Sequence, residues 1–284
     1  MSTAAIPIVS SIAALADTSD AWIVDIWGVM HNGARAFAAA GEACRTFRAR
    51  GGLVVLLSNA PRPFSAVIGH MASLGVDPAA YDTGVTSGDA TRGMVEAWSG
   101  RKLLHIGPER DKGLFAGLDV TLVPAEDADA IVCSGLWDDT KETPDDYAAL
   151  FDRLVAHGLP MICANPDLVV ERGDRLIHCA GALAAAYAAR GGAVIYAGKP
   201  HLPIYERTFA VIDGLKGRAV PKARIIAIGD GLDTDLKGAH AAGLRSVLVA
   251  SAVHLPGGLD QCALTEAFAS RPFRPVAALP ALAW

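Results

Sequence analysis

The chain has no CxxC pair, no run of basic residues and no apolar stretch near the roughly 20 residues that cross a bilayer. Each absence removes a class of function. Without a basic run, and with a formal net charge of -5, nucleic acid is not an expected partner. Without a long apolar run, neither is a membrane. The five cysteines, Cys44, Cys133, Cys163, Cys179 and Cys262, are odd in number and scattered, which speaks against a disulfide framework and against a thiolate metal site. They read as reduced thiols of a cytoplasmic protein. Neither GxxxxGK[ST] nor a GxGxxG following a strand is present, so the usual nucleotide-phosphate loops are excluded. The apolar segment Ile6 to Ala16 lacks a positive leader and carries Pro7, with Asp17 following. It is expected to be a helix and not a signal peptide.

What the chain does have is a well-filled core: 52% of its 284 residues are hydrophobic and 19% charged. Short apolar runs alternate with helical patterns throughout. Strands are expected at Trp22–Asp25, Leu53–Leu57, Leu103–Ile106, Ala130–Cys133, Met161–Ala164, Val194–Tyr196, Ile225–Ile228 and Ser246–Val249. Between them lie helices such as Ala36–Arg50, Ser65–Leu74, Pro144–His157 and Ile204–Leu215. Continuous apolar strands separated by helices predict an α/β protein with parallel sheet covered on both faces. The tail Arg271–Trp284, rich in Pro and Ala, is expected along the surface.

Two strand ends carry the chemistry. Trp22-Ile-Val runs into Asp25, and Ile225-Ile-Ala-Ile runs through Gly229 into Asp230, with Asp235 five residues on. Ligands of parallel sheets bind beyond the carboxyl ends of strands. Asp25, Asp230 and Asp235 gathered there would repel one another, and a hard cation, Mg2+, is the simplest reason for them. Asp25 could also attack an electrophile. Ser58 and Asn59 end another apolar strand, where a hydroxyl and backbone N–H groups suit a phosphate oxygen; a helix-capping turn is the alternative. Lys199, between Gly198 and Pro200, could neutralise a phosphoryl group or simply be solvated. These acids and the lysine lie outside the middle third of the chain. That pattern predicts a core domain of residues 1–97 plus 195–284, interrupted by an inserted domain of residues 98–194.

The order and spacing of these four segments resemble the haloacid dehalogenase (HAD) superfamily, specifically its class IIA, NagD-like and pyridoxal-phosphate-phosphatase-like branch. Within the insert, Ala164-Asn165-Pro166-Asp167 and Gly181-Ala-Leu-Ala-Ala-Ala-Tyr187 also resemble that branch's cap. The resemblance implies a Rossmann-like parallel-sheet core with an inserted α/β cap domain of the class IIA kind. It casts Asp25 as nucleophile and metal ligand, and the backbone carbonyl of Trp27 as another ligand. Ser58, Asn59 and Lys199 would hold the phosphoryl group. Asp230 would ligate Mg2+, and Asp235 would ligate or orient it. A small phosphorylated substrate, an aspartyl-phosphate intermediate and a homodimer are further implications. In the cap, Asp167, Arg172, Arg175 and His178 are candidates for facing the substrate, an arginine suiting a second anionic group.

Two positions depart from the branch. The family's phosphatases carry an acid two residues after the nucleophile, and here Trp27 stands there; its indole cannot exchange a proton near neutral pH. Ala60 replaces a polar residue. General acid–base help is worth roughly 10²–10⁴-fold, so a phosphatase built this way should be slow or narrow. His31 could stand in as the acid, the leaving group could need none, or Trp27 could shield the aspartyl-phosphate from water. A non-catalytic phosphometabolite binder, a dehalogenase, and a phosphonatase using Lys141 as a Schiff base are the alternatives.

Overall fold

The computed structural model describes residues 5–172, 175–251, 255 and 257–284. In chain order its strands are β1 (Ala21–Asp25), β2 (Leu53–Ser58), β3 (Thr83–Thr86), β4 (Lys102–Ile106), β5 (Thr121–Leu122), β6 (Ala130–Cys133) and β7 (Met161–Cys163). There follow β8 (Val169–Arg172), β9 (Arg175–His178), β10 (Val194–Tyr196), β11 (Ile225–Gly229), β12 (Arg245–Val249) and β13 (Ala277–Leu279). The helices are α1 (Ala13–Ala16), α2 (Ala38–Ala49), α3 (Phe64–Ser73), α4 (Ser87–Glu96) and α5 (Ala148–Ala156), then α6 (Ala180–Ala188), α7 (Leu202–Lys216), α8 (Lys237–Ala241) and α9 (Gln261–Ala267). The chain divides into two compact units. One comprises Met1–Ser58, Ile68–Val85 and Tyr205–Trp284, the other Asn59–Val67 and Thr86–Ile204.

The first unit is built on a six-stranded sheet in the order β13-β12-β11-β1-β2-β3. From β13 through β2 every pairing is parallel. All five residues of β1 are buried, as a central strand covered on both faces requires. Helix α2 shows why the sequence packs as it does. Its buried residues Ala40, Ala43, Cys44 and Phe47 recur at helical spacing and form one apolar stripe. Phe47 stacks on Trp22 of β1, ring centroids 3.9 Å apart. Each such fully buried side chain contributes about 1.5–3 kcal/mol relative to exposure.

The second unit has its own parallel sheet, β10-β7-β6-β4-β5. Its core packs Ile131, Met161, Phe151, Leu183 and Tyr187, all fully buried. Helix α4 starts with a capping box: Thr86 accepts from the Asp89 backbone while the Asp89 carboxylate accepts from Thr86 N–H.

Two expectations are corrected. The tail is not surface-bound, because Ala277–Leu279 adds the buried edge strand β13 and Trp284 lies 6.4 Å from Trp22. The N-terminal segment is helical only at Ala13–Ala16, since Ile8 instead bridges Ala278 in extended conformation. Both errors share a cause. A three-residue strand and a single bridge carry too few residues for a period to show, and tertiary pairing decides them.

Candidate active site

In the first unit the chain runs from β1 outward to β2 and β3, then returns to the other side of β1 as β11. The adjacent ends of β1 and β11 are therefore the topological switch point of the sheet, the place at which open parallel sheets generally bind ligands. Val24 pairs with Ile228, which sets Asp25 beside Gly229 and one step from Asp230. One carboxylate oxygen from each of Asp25, Asp230 and Asp235 lies within 4.8 Å of the others. The three residues are only 7%, 8% and 7% exposed. Three buried carboxylates this close together make an all-oxygen donor set, which is the chemistry of a hard divalent cation.

The turns around the triad are tightly specified. Gly28 has φ +85°, and a β-carbon there would collide with the Asp230 carboxylate. After β11, Leu232–Leu236 forms a π-helical turn leading into α8, a feature often found at functional sites. Asp235 sits on it, accepting from Gly231 N–H at 3.1 Å and Thr234 Oγ1 at 3.4 Å. Tyr205, fully buried, donates its hydroxyl to the Asp235 carbonyl at 3.3 Å. Asp233 points away, into a salt bridge with Arg271 at 2.8 Å.

Trp27 is 43% exposed, although its neighbours Ile26 and Val29 are buried. His31 meets it edge-on, centroids 5.2 Å apart at 79°. His31 itself is 2% exposed, and its Nδ1 accepts from Gly33 N–H at 3.0 Å. Burial, helped by the neighbouring His70, pushes its pKa down to about 4. Ser58 ends β2 one step beyond Leu57, the residue paired with Asp25.

The second unit carries the remaining predicted groups. The Asn59 amide donates to the Lys199 carbonyl at 3.1 Å and accepts from the Lys199 N–H at 2.7 Å. Its Nδ2 also donates to Asp167 Oδ1 at 2.8 Å. With both its nitrogen and its oxygen engaged, this side chain holds Lys199 and Asp167 in place. Lys199 is buried. Asp167 N–H in turn donates to Asn165 Oδ1 at 3.0 Å.

Within the stretch Leu168 to His178, β8 pairs antiparallel with β9, His178 with Val169 and Arg172 with Arg175, while residues 173 and 174 lie outside the described residues. The side chains of Arg172 and Arg175 lie outside the described residues. Lys141 is ion-paired with Asp138 at 2.9 Å on the surface, and that pair holds its pKa above the ordinary value. A Schiff-base lysine needs the opposite shift. Sequence reading missed Tyr205, which no motif marks: its role depends on a hydroxyl reaching the backbone of a residue 30 positions away. All five cysteines are free thiols, and no helix among the described residues is long and apolar enough to cross a membrane.

Comparison with known proteins agrees with this geometry. Residues 22–121 match a haloacid dehalogenase-like hydrolase family model, and residues 196–278 match a second, HAD-hydrolase-like model. D-glycerol 3-phosphate phosphatase of Mycobacterium tuberculosis is 29% identical over 251 residues, covering 84% of this chain and 65% of its own length. Dihydroxyacetone phosphatase of Corynebacterium glutamicum is 34% identical over 101 residues, 35% of this chain and 34% of that relative. The chain thus spans less than two thirds of either relative. Among solved structures, a hydrolase of the haloacid dehalogenase-like family from Brucella suis 1330 superposes with TM-score 0.86 at 44% identity, covering 96% of this chain and 99% of that one. With that identity over nearly the whole of both chains, this chain belongs to the haloacid dehalogenase-like hydrolases.

Proposed function

We propose that this protein is a divalent-metal-dependent phosphatase that transfers the phosphoryl group of a small phosphorylated metabolite to Asp25 and then to water. The observation that carries the reading is the buried carboxylate cluster Asp25, Asp230 and Asp235 at the switch point of a parallel sheet. The two curated relatives, named D-glycerol 3-phosphate phosphatase and dihydroxyacetone phosphatase, support the same reaction class. In this reading the first unit, which carries Asp25, Asp230 and Asp235, is the catalytic core and the second unit is the inserted cap domain.

Asp25, Asp230, Asp235 and the backbone carbonyl of Trp27 would hold the metal. Bound there, Mg2+ supplies charge neutralisation for the phosphoryl oxygens. A carboxylate oxygen of Asp25 attacks phosphorus, the P–O ester bond breaks, and its electron pair leaves with the alcohol oxygen. Ser58, at the end of β2, holds a phosphoryl oxygen. Water then cleaves the aspartyl-phosphate, releasing inorganic phosphate and restoring the carboxylate. Trp27 cannot protonate the leaving oxygen. His31 holds the turn instead of acting as the acid, because its Nδ1 is engaged and its ring stays neutral down to about pH 4. The enzyme therefore favours leaving groups that depart without a proton.

The test is phosphate release from phosphorylated metabolites, acyl phosphates and p-nitrophenyl phosphate, with Mg2+ or EDTA, for wild type and Asp25→Asn. The reading expects turnover that needs both Mg2+ and Asp25. Silence across the panel, with phosphate still bound, would replace it with a phosphometabolite binder.

A further inference from the structure

Trp27 occupies the position two residues beyond Asp25, and three features hold its ring in place. Gly33 lies against the benzo edge of the indole, with φ +83°, so that any side chain there would be strained and would collide with the ring. His31 abuts the ring edge-on at 5.2 Å. His31 is itself locked, its Nδ1 taking the Gly33 N–H and its carbonyl taking the Gly28 N–H at 2.8 Å. Backbone bridges Trp27↔His31 and His31↔Ala36 close the turn. The turn around the ring is buried at Ile26, Val29, Met30 and His31, yet the indole remains 43% exposed. A large aromatic side chain, fixed in orientation, open to solvent and two residues from Asp25 in sequence, is a stacking surface.

We infer that Trp27 is a specificity-determining platform for a planar, delocalised leaving group, so that the preferred substrates are aryl or heteroaryl phosphate esters and not aliphatic three-carbon phosphates. The inference rests on the phosphatase reading and narrows its substrate class. Two properties of one residue lead to the same class. The indole offers a face on which an aromatic ring can stack, and it supplies no proton. An alkoxide leaving group is strongly basic and needs a proton as it departs. An aryloxide spreads its charge into the ring and leaves without one. Asp25 forms the new P–O bond, the P–O(aryl) bond breaks, the electron pair leaves on the aryloxide, and solvent protonates it afterwards.

The test pairs two substrates that both depart without a proton, of which only one stacks: phenyl phosphate and acetyl phosphate. The ratio of their kcat/KM values is measured for wild type, Trp27→Leu and Trp27→Phe. Offset aromatic stacking is worth a factor of about 2–12, so the phenyl-to-acetyl ratio should fall about fivefold in Trp27→Leu, through KM, and be retained in Trp27→Phe. An unchanged ratio in Trp27→Leu overturns the platform, while turnover of both esters leaves the phosphatase reading standing. If wild type turns over neither ester, the phosphatase reading fails, and binding to Asp25→Asn decides the platform. Adding Trp27→Leu should then weaken phenyl phosphate about fivefold and inorganic phosphate not at all; an equal effect on both overturns it. Should Trp27→Leu not fold, the indole emission of wild type gives the answer: phenyl phosphate quenches it and inorganic phosphate does not, and equal responses contradict the proposal.

Discussion

The Asn59 side chain grips the backbone of Lys199 on both sides, accepting its N–H at 2.7 Å and donating to its carbonyl at 3.1 Å, across 140 residues of sequence. The pairing ties the loop after β2 to the loop after β10 through two buried hydrogen bonds. Each is worth about 1 kcal/mol net, and leaving a buried partner unsatisfied costs more. Asn59→Ala should therefore lower stability by about 2–3 kcal/mol. Urea unfolding measures the loss; an unchanged midpoint would show that Lys199 holds its place without this tie.

In the phosphatase reading Trp27 stands where the family resemblance expects a proton donor. Trp27→Asp puts a titratable carboxylate there and should raise turnover of alkyl phosphates by about 10–100-fold, part of the range that acid–base help supplies. Phosphate release from glycerol 3-phosphate checks it, with Mg2+ affinity measured alongside. No gain in a folded, metal-binding variant would mean that another group already performs the acid step.

Gly28 combines a left-handed backbone with close approach to the Asp230 carboxylate. Gly28→Ala should cost about 1–3 kcal/mol and weaken Mg2+ binding by displacing Asp230. Thermal unfolding with and without Mg2+ reports both effects.

His31 and His105 are neutral groups in the fold. Burial, together with His70 for His31 and Lys112 for His105, takes each from an ordinary 6.5 down to about 4. Above pH 6.5 neither state of the chain carries these protons. Between 6.5 and about 4 the unfolded chain binds protons that the fold refuses, so stability falls as pH falls through that window. The loss is on the order of 1–3 kcal/mol per group. Unfolding midpoints at pH 7 and pH 4.5 should converge by about that amount in His31→Gln and His105→Gln relative to wild type.

Much of this was legible in the chain because the informative residues are local. The apolar runs before Asp25 and Asp230 fix two strands, and a carboxylate following each fixes its place at a strand end. Cooperation between Asp25, Asp230 and Asp235 followed from the rule that ligands gather at the carboxyl edge. The β8–β9 pairing, β13 and the hydroxyl of Tyr205 were not legible, because short strands carry no period and a side chain reaching a distant backbone leaves no spacing. The ties of the Asn59 amide to Lys199 and Asp167 were not legible either, because they join residues 140 and 108 positions apart. The burial of His31 and its bond to Gly33 likewise became visible only in the fold.

The most direct test of the account is to trap the phosphorylated enzyme. Wild type and Asp25→Asn, with Mg2+ or EDTA, are mixed with labelled phenyl phosphate or acetyl phosphate, quenched in acid within milliseconds, and digested for mass spectrometry. The account predicts a hydroxylamine-sensitive phosphoryl group on the peptide containing Asp25, absent from Asp25→Asn and absent in EDTA. Phosphate released by Asp25→Asn at the wild-type rate, with no label on that peptide, would contradict it.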